Sequence, residues 1–155
     1  MTGWGRAGVR LSTDELRRRA RTRQREHTES DRRAHAAWRR GQLAPWRITR
    51  ALDEGDHSGP EVDIACKAEE PAVDEWEAGT RYPTWEQLCA LAVLTGRRAE
   101  WFTVADEPLD IRSTSLWGHM TKRDRERWKP PILTFTDTAV ENCPGTIDYE
   151  ELHLF

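Results

Sequence analysis

Two sets of charged side chains carry the chemistry this chain can offer. The first is a run of arginines, Arg17, Arg18, Arg19, Arg21, Arg23, Arg25, Arg32, Arg33, Arg39 and Arg40. A guanidinium presents a fixed fork of donors that matches phosphate oxygens, so such a run suits a polyanion. About six phosphate contacts would hold a duplex with strong salt dependence and little choice of sequence. The second set is acidic: Glu69, Glu70, Asp74 and Glu75 fall within seven residues, with Ala72 among them. One such carboxylate can accept a hydrogen bond from cytosine, but four together repel phosphates and better suit a basic protein partner. Arg81, Arg97 and Arg98 could add contacts to a nucleic-acid backbone.

Other chemistries find less support. His57 lies near Asp53, Asp56 and Cys66 in the sequence, but these residues follow no catalytic order, and a turn rich in Asp and His is usually only a turn. There is no phosphate-cradling glycine loop, nucleophile motif or metal-ligand spacing among the five histidines. No enzyme activity, cofactor or metal is expected. Three cysteines, Cys66, Cys89 and Cys143, form no C-x-x-C pair and are expected to be reduced, with Cys66 and Cys89 as small core residues. No run of 18 apolar residues occurs, and the amino end lacks the apolar stretch of a secretory signal, so a soluble cytoplasmic protein without membrane contact is expected.

The net charge of −3 hides a polarised chain. Residues 1–50 hold 14 basic and 5 acidic side chains (+9), and residues 51–155 hold 10 and 22 (−12). Only three of the 24 basic residues are lysines, a skew that suggests GC-rich coding, as in an actinobacterium or its phage. Eight tryptophans are many for 155 residues and should anchor a small core, with some left for a partner surface.

The elements that must position these groups are mostly helical. Ser12 and Glu15 form a capping-box start, and no Pro or Gly interrupts the chain from there to Arg40, so one long polar helix is predicted, stopped by Gly41. Leu16 and Ala20, and Ala34 and Trp38, share a face that Arg23, His27 and Asp31 interrupt. A helix follows from Pro45 to Glu54, then one from Ser58, capped with Glu61, to about Lys67. A third short helix is predicted over about Glu70 to Ala78. Thr84 with Gln87 caps the next, which Gly96 closes, and a last short helix spans Arg97 to Thr103. Beyond this, a short helix capped by Thr121 is predicted. Ile132 to Thr136 has strand composition, and Thr146 to Phe155 could supply a second strand, giving a hairpin or an edge strand.

Val73-Asp74-Glu75-Trp76-Glu77-Ala78-Gly79, followed by Tyr82-Pro83-Thr84, resembles the centre of a lambda-repressor-like (XRE-type) helix-turn-helix domain over roughly residues 45–103. The resemblance implies a five-helix core in which Val73, Trp76, Glu77, Gly79, Pro83 and Thr84 are scaffold positions and the helix holding Ala72, Asp74 and Glu75 would face DNA. Here Glu69 and Glu70 stand where such domains carry neutral or basic base-reading residues, and Asp63 where a small apolar residue is common. The expected fold class is mainly α, with that core, a long basic N-terminal helix and a small C-terminal β element. Three segments are expected: a basic arm (1–43), the helix-turn-helix domain (44–104) and an extension (105–155). The function expected is DNA binding, as a transcriptional regulator of phage or mobile-element origin, with a homodimer as the family's habit. The alternative is a non-catalytic module that binds or inhibits a host protein through the acidic third helix.

Overall fold

The computed structural model describes residues 10–103 and 110–146. Helix α1 (Thr13–Arg39) is 27 residues long, about 40 Å at the α-helical rise. It begins where the Ser12 hydroxyl accepts from the Glu15 amide and ends just before Gly41, whose φ of +74° suits glycine. Helices α2 (Pro45–Glu54), α3 (Gly59–Ala65), α4 (Ala72–Glu77) and α5 (Trp85–Thr95) follow, then a 3-10 turn over Ala99–Thr103. A second 3-10 turn (Ile111–Ser113) and three short helices, α6 (Ser115–His119), α7 (Lys122–Arg127) and α8 (Asp137–Glu141), complete the described chain.

The core forms where α2 to α5 and the first 3-10 turn meet. Trp76, Phe102, Ile48, Leu88, Leu91, Val62 and Val73 are fully buried there. The Thr84–Gln87 capping box is complete in both directions, and Gly96 takes the left-handed conformation that ends α5. The box expected at Ser58 is absent: its side chain makes no cap bond. The third helix is shorter than expected, so Glu69 and Glu70 lie in the turn before it.

The expected C-terminal β element is not present: no strand occurs among the described residues. Residues 147–155, most of the second proposed strand, lie outside them. Ile132 to Thr136 forms no ladder, and two of its backbone groups bond instead to residues at helix ends. The Ile132 carbonyl accepts from the Trp46 amide at 3.1 Å, and the Thr136 amide donates to the Gly79 carbonyl at 2.9 Å. The segment is a strap across the turn after α4. Gly79 combines a φ of +74° with a neighbour that tolerates no side chain, because a Cβ there would stand 2.9 Å from the Thr134 carbonyl oxygen. The strap leads into α8, capped by Thr136, and together they bury Phe135, Ala139, Val140 and Cys143.

Candidate nucleic-acid interface

Helix α1 divides into two parts. Ser30, Ala34 and Trp38, four residues apart, form its buried edge. The Ser30 hydroxyl donates to Glu100 at 2.7 Å, and Arg33 Nε donates to the same carboxylate at 2.8 Å. These two donors hold the Glu100 carboxyl below the usual carboxylate range. Trp38 Nε1 donates to the Pro83 carbonyl at 2.8 Å, and the Tyr82 hydroxyl donates to the Trp38 carbonyl at 2.6 Å. His35, Trp38, Trp85, Tyr82 and Phe135 continue as a chain of ring contacts.

Residues 16–29, by contrast, are exposed at every position. These fourteen residues project for about 21 Å as a helix with no body beneath them. Arg18, Arg21, Arg25 and Arg32 fall on one face by the helical repeat, opposite the buried edge, and line shallow grooves along it. Arg17 pairs with Asp14 at 4.0 Å, and Arg18 and Arg19 with Glu15 at 3.7 and 3.5 Å. Exposed pairs of this kind are worth about 0–1 kcal/mol and are readily exchanged for a phosphate. Arg21, Arg23, Arg25, Arg32 and Arg39 have no carboxylate within ion-pair distance among the described residues. Arg33 is committed to a distant partner, Glu100; Arg40, also expected to bind, is exposed at the end of the helix.

The acidic region lies elsewhere. Helix α4 packs on α2 and α3, whereas the main contact of α1 is the 3-10 turn at Ala99–Thr103. Glu69, Glu70 and Asp74 are exposed and, among the described residues, meet no basic side chain within ion-pair distance. Asp74 Oδ1 stands 3.6 Å from where a Cβ would be at Gly59, beside the start of α3. Glu75 is half-buried and pairs with Arg81 at 2.6 Å, so Arg81 faces the acidic helix. Ala72 is buried and faces the core. Arg97 is held by Glu54 and lies over the Trp101 ring at 3.9 Å; Arg98 is exposed nearby. The arm's arginines and the α4 carboxylates thus stand on helices with different packing partners, and Arg81 is drawn to the carboxylates.

Of the scaffold residues, Val73, Trp76 and Pro83 are fully buried, and Glu77 and Thr84 are partly so. Burial pushes the Glu77 carboxyl up, opposed by its hydrogen bond with Thr49 on α2. Sequence reasoning missed the role of Asp63. It is 4% exposed, and its Oδ1 accepts from the Val73 amide at 3.0 Å, so it caps α4 from α3 where Pro71 offers no side-chain cap. A carboxylate at a position expected to be small and apolar was the available signal. The α3–α4 connection also contains Lys67 in the left-handed conformation, at φ +53°.

Burial pushes the Cys66 and Cys143 thiols up to about 11. All three cysteines are free. No cluster of metal-ligating side chains and no helix long and apolar enough to cross a membrane occurs among the described residues. Comparison with family models, curated proteins and solved structures finds no match.

Proposed function

We propose that this chain is a cytoplasmic DNA-binding regulator that holds duplex DNA through phosphates along α1, with the helix-turn-helix-like unit of α2 to α5 serving mainly as the body that carries the arm. One observation carries the reading: a projecting helix, exposed on every side over residues 16–29, that bears Arg17, Arg18, Arg19, Arg21, Arg23 and Arg25. A basic helix continuous with a folded body is a known way to reach a groove. The resemblance of residues 73–84 to XRE-type domains and the buried Val73 and Trp76 support the family reading. The carboxylates around α4 argue that this helix does not make the phosphate contacts.

The test is a fluorescence-anisotropy titration over a range of salt, using a random duplex and the DNA upstream of the protein's own gene. Binding should weaken steeply with salt, by about 0.9 in the log–log slope for each phosphate contacted, and about four to six contacts are expected. Similar affinity for the two duplexes is expected, because the arm's contacts are to phosphate. Absence of binding at the lowest salt overturns the reading.

A second reading, a protein-binding module, is favoured by the exposed Glu69, Glu70 and Asp74, which lack a cation among the described residues. It requires that a variant carrying E69Q, E70Q, D74N and E75Q lose partners that the parent retains on an affinity column. An unchanged partner set removes it.

A further inference from the structure

The stretch from Asp110 to Lys129 takes no part in the core. None of the residues in its 3-10 turn, α6 or α7 is buried. It is nevertheless ordered by a small staple of its own. Trp117 and Trp128 meet edge to face at 5.7 Å, Arg112 lies over Trp128 and Arg125 over Trp117. Arg125 Nε also donates to the Trp117 carbonyl at 2.9 Å and a second guanidinium nitrogen to that of Gly118 at 3.2 Å.

The staple leaves a definite charge pattern outside. The stretch has six basic and three acidic residues, a net of +3. Arg112 and Arg125 hold the tryptophans. Asp110 accepts from the Arg112 amide, and Asp124 bonds the Thr121 hydroxyl that caps α7, so both carboxylates face local donors. Lys122, Arg123, Arg127 and Lys129 remain exposed, with no carboxylate in ion-pair distance among the described residues. Around them the body is acidic: residues 51–155 have 10 basic side chains in all, and six of those lie in this stretch. A purely internal role would set these cations against the body's carboxylates, which the fold does not do.

Position adds to the argument. The chain that follows the stretch is tied to the opening of α2 by the Trp46 amide on the Ile132 carbonyl at 3.1 Å, three residues after Lys129, beside the bond of the Ala44 amide to the Phe102 carbonyl at 3.0 Å. Arg40 is four residues before Ala44, within about 14 Å even for extended chain. The stretch therefore returns to the body near the end where α1 finishes.

We propose that residues 110–129 form a second phosphate-binding surface, in which Lys122, Arg123, Arg127 and Lys129 grip the backbone of the duplex that α1 engages. This rests on the DNA-binding reading above. Charge complementarity with duplex phosphate identifies the occupant, and the tryptophan staple presets the surface without help from the core.

The experiment compares the full chain with two variants on a random 20-base-pair duplex across a salt series. The quadruple variant K122Q/R123Q/R127Q/K129Q should lower the log–log salt slope by about 2 to 4, and Glu126→Lys should raise it by about 1. Both sites are exposed, and an unchanged unfolding midpoint verifies each fold. If the parent binds with a steep slope and both variants keep that slope, the second surface is refuted while the DNA reading stands. If the parent does not bind at all, the DNA reading fails and this surface fails with it.

Discussion

The two halves of α1 are both rich in arginine but behave differently. Residues 30–39 hold three arginines and four apolar side chains (Ala34, Ala36, Ala37 and Trp38), and residues 16–29 hold six arginines and two (Leu16 and Ala20). The first half to consider, 30–39, buries Ser30, Ala34 and Trp38 and places Arg33 and Ser30 on one carboxylate from the far end of the domain. The other carries Ala20, Arg23 and His27 along the continuation of that face and buries nothing. Docking follows from a small residue, a small residue and a flat ring at intervals of four, with a matching acceptor opposite. A helix anchored at one end also escapes the nucleation cost that leaves isolated helices of this length marginal, so a docked half can support a bare one.

The contrast can be broken most forcefully at Trp38. Trp38→Ala removes a buried ring, its hydrogen bond to Pro83 and its packing on Tyr82, and should cost about 3–5 kcal/mol in denaturant unfolding. A loss below about 1 kcal/mol would mean that the docked half is not part of the core. A smaller effect tests the polar latch. Glu100 is held below its ordinary value by Arg33 and Ser30, so its contribution is present above the unfolded value of about 4.3 and is lost as pH falls through the folded one. The unfolding midpoint of Glu100→Gln should lie below that of the parent at neutral pH, and the two should converge in acid below that range. A gap independent of pH would contradict the latch. The smallest effect on stability is expected from Thr22→Pro, in the exposed half. Proline breaks the arm helix locally, so circular dichroism should lose helix signal and duplex affinity should fall. The unfolding free energy of the body should change by less than about 0.5 kcal/mol, and a larger change would show that residues 16–29 lean on something.

Much of the helical plan was legible because local chemistry sets it. Ser12, Thr84 with Gln87, Thr121, Gly79 and Gly96 mark helix ends through bonds or dihedrals within a few residues. What escaped depends on long-range contacts. The Arg33–Glu100 pair joins residues 67 apart, so Arg33 looked no different from its neighbours. Ile132 to Thr136 has the composition of a strand, and only the positions of Trp46 and Gly79 make it a strap. Helix α8 had a readable signal in Thr136 and Asp137 ahead of Ala139 and Val140, which the strand composition on either side obscured. In the candidate site, residue types and their segments were informative about charge, but the pairing of Arg33, Arg81 and Arg97 with Glu100, Glu75 and Glu54 came from tertiary packing.

The strap and α8 also set the order in which the domain can be completed. Phe135 meets Tyr82, Cys143 lies against the Pro83 carbonyl, and a Cβ at Gly145 would touch the Trp38 ring, so residues near opposite ends of the described chain close one aromatic cluster. Such distant pairings come late in folding, because loop-closure entropy precedes their reward. On the ribosome, the arm and the first five helices would emerge well before the segment that seals them. Trp38, Tyr82 and Trp85 would spend that interval partly uncovered, a period in which a nascent chain is open to chaperone capture.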